Sequence, residues 1–162
     1  MELLPFDEYV RSLDRKRMSA GVLFRDAVDR VLLVEPSYKP RWEIPGGAVD
    51  AGEPPWTTAV REVREELGLE RPVGRPLVID YQPGDDRLPE GIAFVFDGGL
   101  ITQEEVAALV LTDPEIVAAR LTDLEELPEK LNASLARRVA VAFDVVRTGE
   151  LALCENGHRI GR

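Results

Sequence analysis

The chain has a single cysteine and a single histidine in 162 residues. One cysteine, Cys154, excludes an internal disulfide and agrees with a reducing compartment, for which the cytoplasm is the default expectation. One histidine, His158, in a polar C-terminal stretch, leaves no support for a Ser-His-Asp triad or a histidine-based zinc site. No apolar stretch approaches the ~20 residues of a membrane span. The opening MELLPFDEYVRSL interleaves acidic with apolar residues instead of pairing a basic leader with a long apolar run, so no secretory signal is expected. Neither a Walker A loop nor a dinucleotide glycine fingerprint is present, and Gly98-Gly99 reads as a loop. Basic side chains are also short in number, 20 against 30 acidic, for a formal net charge of −10. That surface repels a nucleic-acid polymer. It does not bar a small phosphorylated ligand, because a divalent cation reverses the local field where carboxylates converge.

What is present is an ordinary globular composition, 44% hydrophobic and 31% charged, of a length expected to make one domain across residues 1–162. Residues 1–17 are expected to form an N-terminal arm or short helix. Ser19–Phe24 and Arg30–Val34 read as strands around a turn at Asp26–Asp29. Pro36, Pro40 and Pro45 break the following segment before Gly46-Gly47. From Pro55 to Leu67 the pattern is helical, with Pro in the first turn, where its missing N–H has no partner to lose, and Gly68 at the left-handed cap position. Val60, Val63 and Leu67 are expected to face the sheet. Leu77–Tyr81, Gly91–Asp97 and Ile116–Leu121 read as further strands. Leu131–Arg147 repeats apolar residues at helical spacing, and Leu151–Cys154 forms a last strand or a tail. Interleaved elements without a regular βαβ repeat imply an α/β or α+β fold with a mixed sheet.

The segment GAVDAGEPPWTTAVREVREELGL, Gly47 to Leu69, carries the chemistry. Gly47, Glu53, Arg61, Glu62, Val63, Glu65, Glu66, Gly68 and Leu69 fill every specified position of G-x5-E-x7-R-E-U-x-E-E-x-G-U, U being aliphatic. A chance match in a chain this long is on the order of one in a million or less. The pattern resembles the Nudix box of the Nudix hydrolases. The resemblance implies an α/β/α sandwich with a mixed β-sheet, in which residues 47–69 form a loop–helix–loop beside the sheet.

At 100° per residue Glu62 and Glu66 lie one turn apart, with Glu65 beside Glu62 at i,i+3. Carboxylates gathered on one side repel unless a cation sits among them, and hard oxygen donors favour Mg2+, with Mn2+ the alternative. Glu62, Glu65 and Glu66 are therefore the metal candidates, and the resemblance implies the Gly46 carbonyl as a further ligand. Arg61, four residues before Glu65, can orient a carboxylate. Glu53 reads either as a metal-linked carboxylate or as a helix-start residue favoured by the dipole. A Glu-rich helix is ordinarily a solvated face; the glycines, Arg61 and Glu53 at their spacings reverse that reading.

The implied reaction is cation-assisted hydrolysis of a phosphoanhydride, with Glu62, Glu65, Glu66 and Arg61 as catalytic candidates. Glu115, just before the strand at Ile116, is a further candidate base, with a plain surface role as the alternative. Arg41, Trp42, Tyr81 and Arg87 are the candidate substrate contacts, and Lys39 and Phe94 could also hold a phosphate or a base. Pro83, fifteen residues after Gly68, falls near where ADP-ribose pyrophosphatases carry a proline. The expected substrate is a nucleoside diphosphate joined to another moiety, either a nucleoside triphosphate or a nucleotide sugar such as ADP-ribose. The alternative is a nucleotide-binding regulatory module without turnover. No membrane or polymer partner is expected, and a homodimer stays open.

Overall fold

A computed structural model describes residues 3–161, so Met1, Glu2 and Arg162 lie outside the described residues. In chain order the elements are α1 (Phe6–Ser12), β1 (Arg17–Arg25), β2 (Val31–Pro36), β3 (Gly46–Ala48), α2 (Pro55–Leu67), β4 (Pro76–Gln82), β5 (Gly91–Leu100), α3 (Gln103–Ala107), β6 (Ile116–Thr122), α4 (Leu127–Lys130), α5 (Ala133–Thr148), β7 (Ala152–Glu155) and β8 (His158–Arg159). The sheet runs β6-β2-β1-β5-β4-β7-β8, with the short β3 also paired to β1. β1–β5 and β4–β7 are parallel and the other pairs antiparallel, so the sheet is mixed. None of the described helices is long and apolar enough to cross a membrane.

Strand alternation sends successive side chains to opposite faces, and here both faces are covered. Ala20, Val22, Phe24, Leu32 and Val34 pack with Ala59, Val63 and Leu67 of α2. Leu23, Val31, Leu33, Leu77 and Val95 pack with Leu135, Val139, Ala142 and Phe143 of α5. The result is an α/β/α sandwich with one core on each side of the sheet. Helix α2 spans the predicted residues, closed by Gly68 in a left-handed conformation whose N–H reaches the Arg64 carbonyl at 2.9 Å. Helix α5 starts at the Asn132 cap, whose side chain accepts from Leu135 N–H, and ends at Gly149.

Two expectations need correction. Val60 is exposed, while Ala59, Val63, Glu66 and Leu67 are buried. The buried stripe of α2 is rolled toward β3, so that the carboxylate side of the helix sits at the sheet rather than opposite it. Gly98-Gly99 is not a loop but part of β5, where the β1–β5 register shifts between Leu23 and Phe24. The Phe24 ring occupies the space where a Gly98 Cβ would stand, 2.6 Å from its Cδ1.

The β1–β2 turn is held by Asp26, whose Oδ1 accepts from Val28 N–H (3.1 Å) and Arg30 N–H (2.8 Å) while Oδ2 accepts from Arg30 Nε (2.8 Å). Burial pushes this carboxyl up, but the N–H donors and the guanidinium outweigh it and leave it below the ordinary 3.8. A lowered carboxyl stabilises the fold above its unfolded value and ceases to do so as pH falls through the folded one. Asp26→Asn is therefore expected to cost about 1–2 kcal/mol at neutral pH. In urea unfolding the gap between variant and wild type should close as the pH falls below 3.8.

Candidate active site

Strand β3 brings the box loop against β1, with Gly46 opposite Gly21 and Gly47 opposite Ala20. Gly46 is sterically required, and Gly47 leaves room for a side chain of α2. Gly46 has φ +147°, and a Cβ there would lie 2.2 Å from the Ala20 carbonyl oxygen; at Gly47 it would lie 2.4 Å from Glu62 Oε1. The backbone thus passes directly under the carboxylates of α2. Gly46 N–H donates to Glu66 Oε2 at 3.0 Å, tying loop to helix.

Arg61 organises the other carboxylates. Its Nε and Nη2 donate to the two oxygens of Glu53 at 3.1 and 3.0 Å, a forked pair. Its Nη1 donates to Glu62 Oε1 at 2.8 Å and to Glu65 Oε2 at 3.0 Å, and Nη2 also reaches the Ala48 carbonyl at 3.3 Å. Thr58 Oγ1 donates to Glu53 Oε2 at 2.5 Å. Arg61 hydrogen bonds, then Thr58, hold the Glu53 carboxyl down at about 2. Glu53 therefore acts in this arrangement as the anchor of Arg61.

Glu66 is 8% exposed. Burial pushes its carboxyl up to about 8, against the lowering effect of Gly46 N–H, and the nearby charges of Glu62, Glu43 and Asp113 add to the rise. Burial also raises Glu62, offset in part by Arg61. Among the described residues no three acidic, histidine or cysteine side chains close on one point. The expected convergence of Glu62, Glu65 and Glu66 is thus divided: Arg61 draws two of them, and Gly46 N–H takes the third. The donor set fits a hard divalent cation. It consists of carboxylate oxygens, its negative charge exceeds what one guanidinium neutralises, and two members sit where ionisation needs added positive charge. Glu62 and Glu66 would hold such an ion, with Glu65 and the Gly46 carbonyl as further oxygen donors.

A cavity of about 440 Å3 opens beside Gly46–Ala48, walled by Tyr38, Lys39, Phe94, Gln82, Asn132 and Arg138 among others. Of the sequence candidates, Lys39 and Phe94 line it; Arg41, Trp42, Tyr81 and Arg87 do not. Arg41 donates to the Glu129 carbonyl at 2.8 Å. Trp42 packs against the α5-side core beneath Arg120 and Lys130. The Tyr81 hydroxyl donates to Glu90, and Arg87 is exposed with its N–H on Asp85. Glu115 is exposed at the start of β6, its carbonyl accepting from Ser37 N–H at 2.7 Å and its charge felt by Tyr38. Asp113, two residues earlier, is the acid whose charge reaches both Glu62 and Glu66. Sequence reading missed Asp113, Tyr38 and Arg138; an acid beside Pro114 was the available signal for the first.

Gly47→Ala displaces only the flexible end of Glu62, so the melting temperature should hardly change. Divalent-cation affinity, measured by calorimetry, is expected to fall about 10- to 100-fold, as when a metal ligand loses its orientation. Unchanged affinity would show that the Glu62 position does not matter.

A family profile described as NUDIX domain matches residues 15–143. The Mus musculus protein "Diphosphoinositol polyphosphate phosphohydrolase 3-alpha" is 40% identical over 82 residues, 49% of this chain and 49% of that protein. Its Homo sapiens counterpart is 42% identical over 74 residues, 44% of this chain and 45% of that protein. The chain spans about half the length of these curated relatives. Among solved structures, a MutT protein from Methanosarcina mazei Go1 has 26% identity and a TM-score of 0.66, covering 84% of this chain and 99% of that one. The NUDIX domain of Shewanella oneidensis NrtR complexed with ADP ribose has 18% identity and a TM-score of 0.67, covering 88% and 99%, and so shares the fold. With a matching profile across most of its length and the box residues assembled on one loop and helix, the chain belongs to the Nudix hydrolase family.

Proposed function

We propose that the chain is a divalent-cation-dependent pyrophosphohydrolase that splits the phosphoanhydride of a nucleoside diphosphate joined to a second moiety. Family membership supports the hydrolase class, and Nudix hydrolases generally use divalent metals. The observation that carries the finer reading is the cavity beside the box glycines: its walls are neutral, aromatic and hydrogen-bonding more than they are cationic. Three basic side chains line it, and each already has a partner. Arg17 donates to the Pro89 carbonyl and Gln82, Lys39 to Glu43, and Arg138 to the fully buried Asp80. A densely phosphorylated inositol would need several unengaged cations. A base and a sugar need a flat apolar face and a few donors and acceptors, which Phe94, Tyr38, Asn132 and Gln82 offer.

A bound divalent cation supplies neutralisation of the diphosphate and a more acidic water. The chain's own residues do the rest. Arg61, braced by Glu53, fixes Glu62 and Glu65 so that their oxygens need little reorganisation. Gly46 and Gly47 let the loop approach closely enough to share the site with those oxygens. Glu66, held beside the loop by Gly46 N–H, is the carboxylate assigned here to accept the proton of the attacking water. Asp113, just before β6, is the acid outside the box whose charge reaches Glu62 and Glu66, and it is the candidate to assist.

A panel of nucleoside triphosphates, nucleotide sugars and an inositol pyrophosphate with Mg2+ or Mn2+ tests the proposal. Turnover is expected on a nucleoside-diphosphate compound, with release of a nucleoside monophosphate. Preference for the inositol compound would overturn the substrate reading, and tight nucleotide binding without turnover would favour a regulatory module. Glu66→Gln keeps an acceptor for Gly46 N–H and should leave the fold intact while lowering kcat by at least ~100-fold. Near-normal rates at saturating Mg2+ would remove Glu66 from the mechanism.

A further inference from the structure

The Asp80–Arg138 pair takes no part in the chemistry at α2. Arg138 projects from α5 with 8% of its side chain exposed, and the Asp80 side chain beside it is wholly enclosed. Arg138 Nε donates to Asp80 Oδ2 at 2.6 Å and Nη2 to Ser134 Oγ at 3.3 Å, while Asp80 Oδ1 accepts Gly157 N–H at 2.9 Å. Nη1 donates to none of the described residues. No fully enclosed side-chain nitrogen or oxygen among them lacks a partner, so Nη1 reaches open space. The open space that Arg138 lines is the cavity beside the box glycines. A guanidinium more than nine-tenths buried therefore keeps an unengaged donor aimed into that cavity.

Neighbouring wall groups have the same polarity. Asn132 Oδ1 accepts from Leu135 N–H at 2.9 Å and Gln82 Oε1 from Arg17 Nη1 at 3.3 Å, which leaves each amide its NH2 group. The lining carboxylate, Glu43, is taken by Lys39. The hydroxyls of Ser19 and Tyr38 can act either way. A wall whose unengaged, oriented groups are donors calls for a ligand that presents acceptors.

Charge decides which acceptor. Asp80 lies 2.6 Å behind the guanidinium, so a phosphate drawn to Nη1 would also meet a buried carboxylate, whereas a neutral carbonyl oxygen would not. The diphosphate, moreover, goes with the cation seat at α2, which packs on the other face of the sheet from α5. Resting on the nucleoside-diphosphate reading above, we propose that Arg138 is a specificity-determining residue that donates from Nη1 to a ring carbonyl of the base, with Phe94 against the ring. The site then prefers guanine, hypoxanthine or uracil over adenine or cytosine. The latter two place an amino group where that oxygen stands. Donor would face donor, and Nη1 would stay desolvated without an acceptor.

Matched substrates with Mg2+ test this: inosine against adenosine and uridine against cytidine, each as the triphosphate and as a diphosphate sugar. Wild-type kcat/KM is expected to favour the carbonyl-bearing member by about 10- to 100-fold. Arg138→Lys retains a cation for Asp80 but not the second arm of the fork, and should bring the ratio toward 1 by raising KM on that member. Asp80→Asn with Arg138→Gln removes both buried charges and keeps an acceptor for Gly157 N–H. This pair should have the same effect, and it serves if the lysine variant does not fold. A purely structural role would weaken both members alike and leave the ratio where it was. A wild type without the preference, or a folded variant that keeps it, overturns the inference while the nucleotide reading stands. No turnover on any of these compounds overturns that reading and the inference with it.

Discussion

Arg61 is the contact on which the rest of the site depends. One guanidinium serves Glu53, Glu62 and Glu65 together, and its fork on Glu53 fixes its plane. Without it, three carboxylates beside the glycine loop would repel and turn to solvent. The arrangement is deliberately under-neutralised: Glu66 and Glu62 are buried enough that their ionised forms are disfavoured. A folded state that leaves negative oxygens short of positive charge is prepared for a cation, and this charge deficit links the stability of the loop to the chemistry beside it.

The sandwich explains how such a deficit is tolerated. Helix α2 is anchored by Ala59, Val63 and Leu67 to one face of the sheet, and β3 is hydrogen-bonded to β1 in the middle of it. The carboxylates and the glycine loop therefore sit on two rigid supports rather than on mobile connections. The opposite face, closed by α5, provides the far wall of the cavity through Asn132, Leu135 and Arg138. Arg138 is held there by Asp80 at 2.6 Å, and Asp80 also accepts Gly157 N–H at 2.9 Å. A buried ion pair fixed by an extra backbone donor is a costly device for stability alone, and it sets the shape of one cavity wall.

Much of this was legible in the sequence because its causes are local. Pro55 and Gly68 bound α2 by backbone conformation, and alternation gave β1, β2, β4, β5 and β6 to within a few residues. The box spacing identified the residues that Arg61 and Gly46 bring together. What escaped depends on packing between distant segments. Val60 looked buried by helical period, but the roll of α2 toward β3 is set by Glu62 and Glu66 meeting the glycine loop. Gly98-Gly99 looked like a turn because nothing local reveals the Phe24 ring above it. Arg41 and Trp42 follow prolines near the box, yet their loop runs to α4, while Tyr38, Asn132 and Arg138 converge from separate elements on the cavity. Asp113 was passed over for Glu115 because which acid's charge reaches the box depends on the loop's path, not on its composition.

The central claim is that the charge deficit between α2 and β3 is the seat of a divalent cation. Anomalous diffraction from a crystal soaked with Mn2+ and a non-hydrolysable nucleoside-diphosphate analogue tests it most directly. The expected map has its strongest peak between Glu62 and Glu66, beside the Gly46 carbonyl, with Arg61 still forked on Glu53. Mn2+ bound only elsewhere, with the analogue in place and Glu66 still on Gly46 N–H, would contradict it.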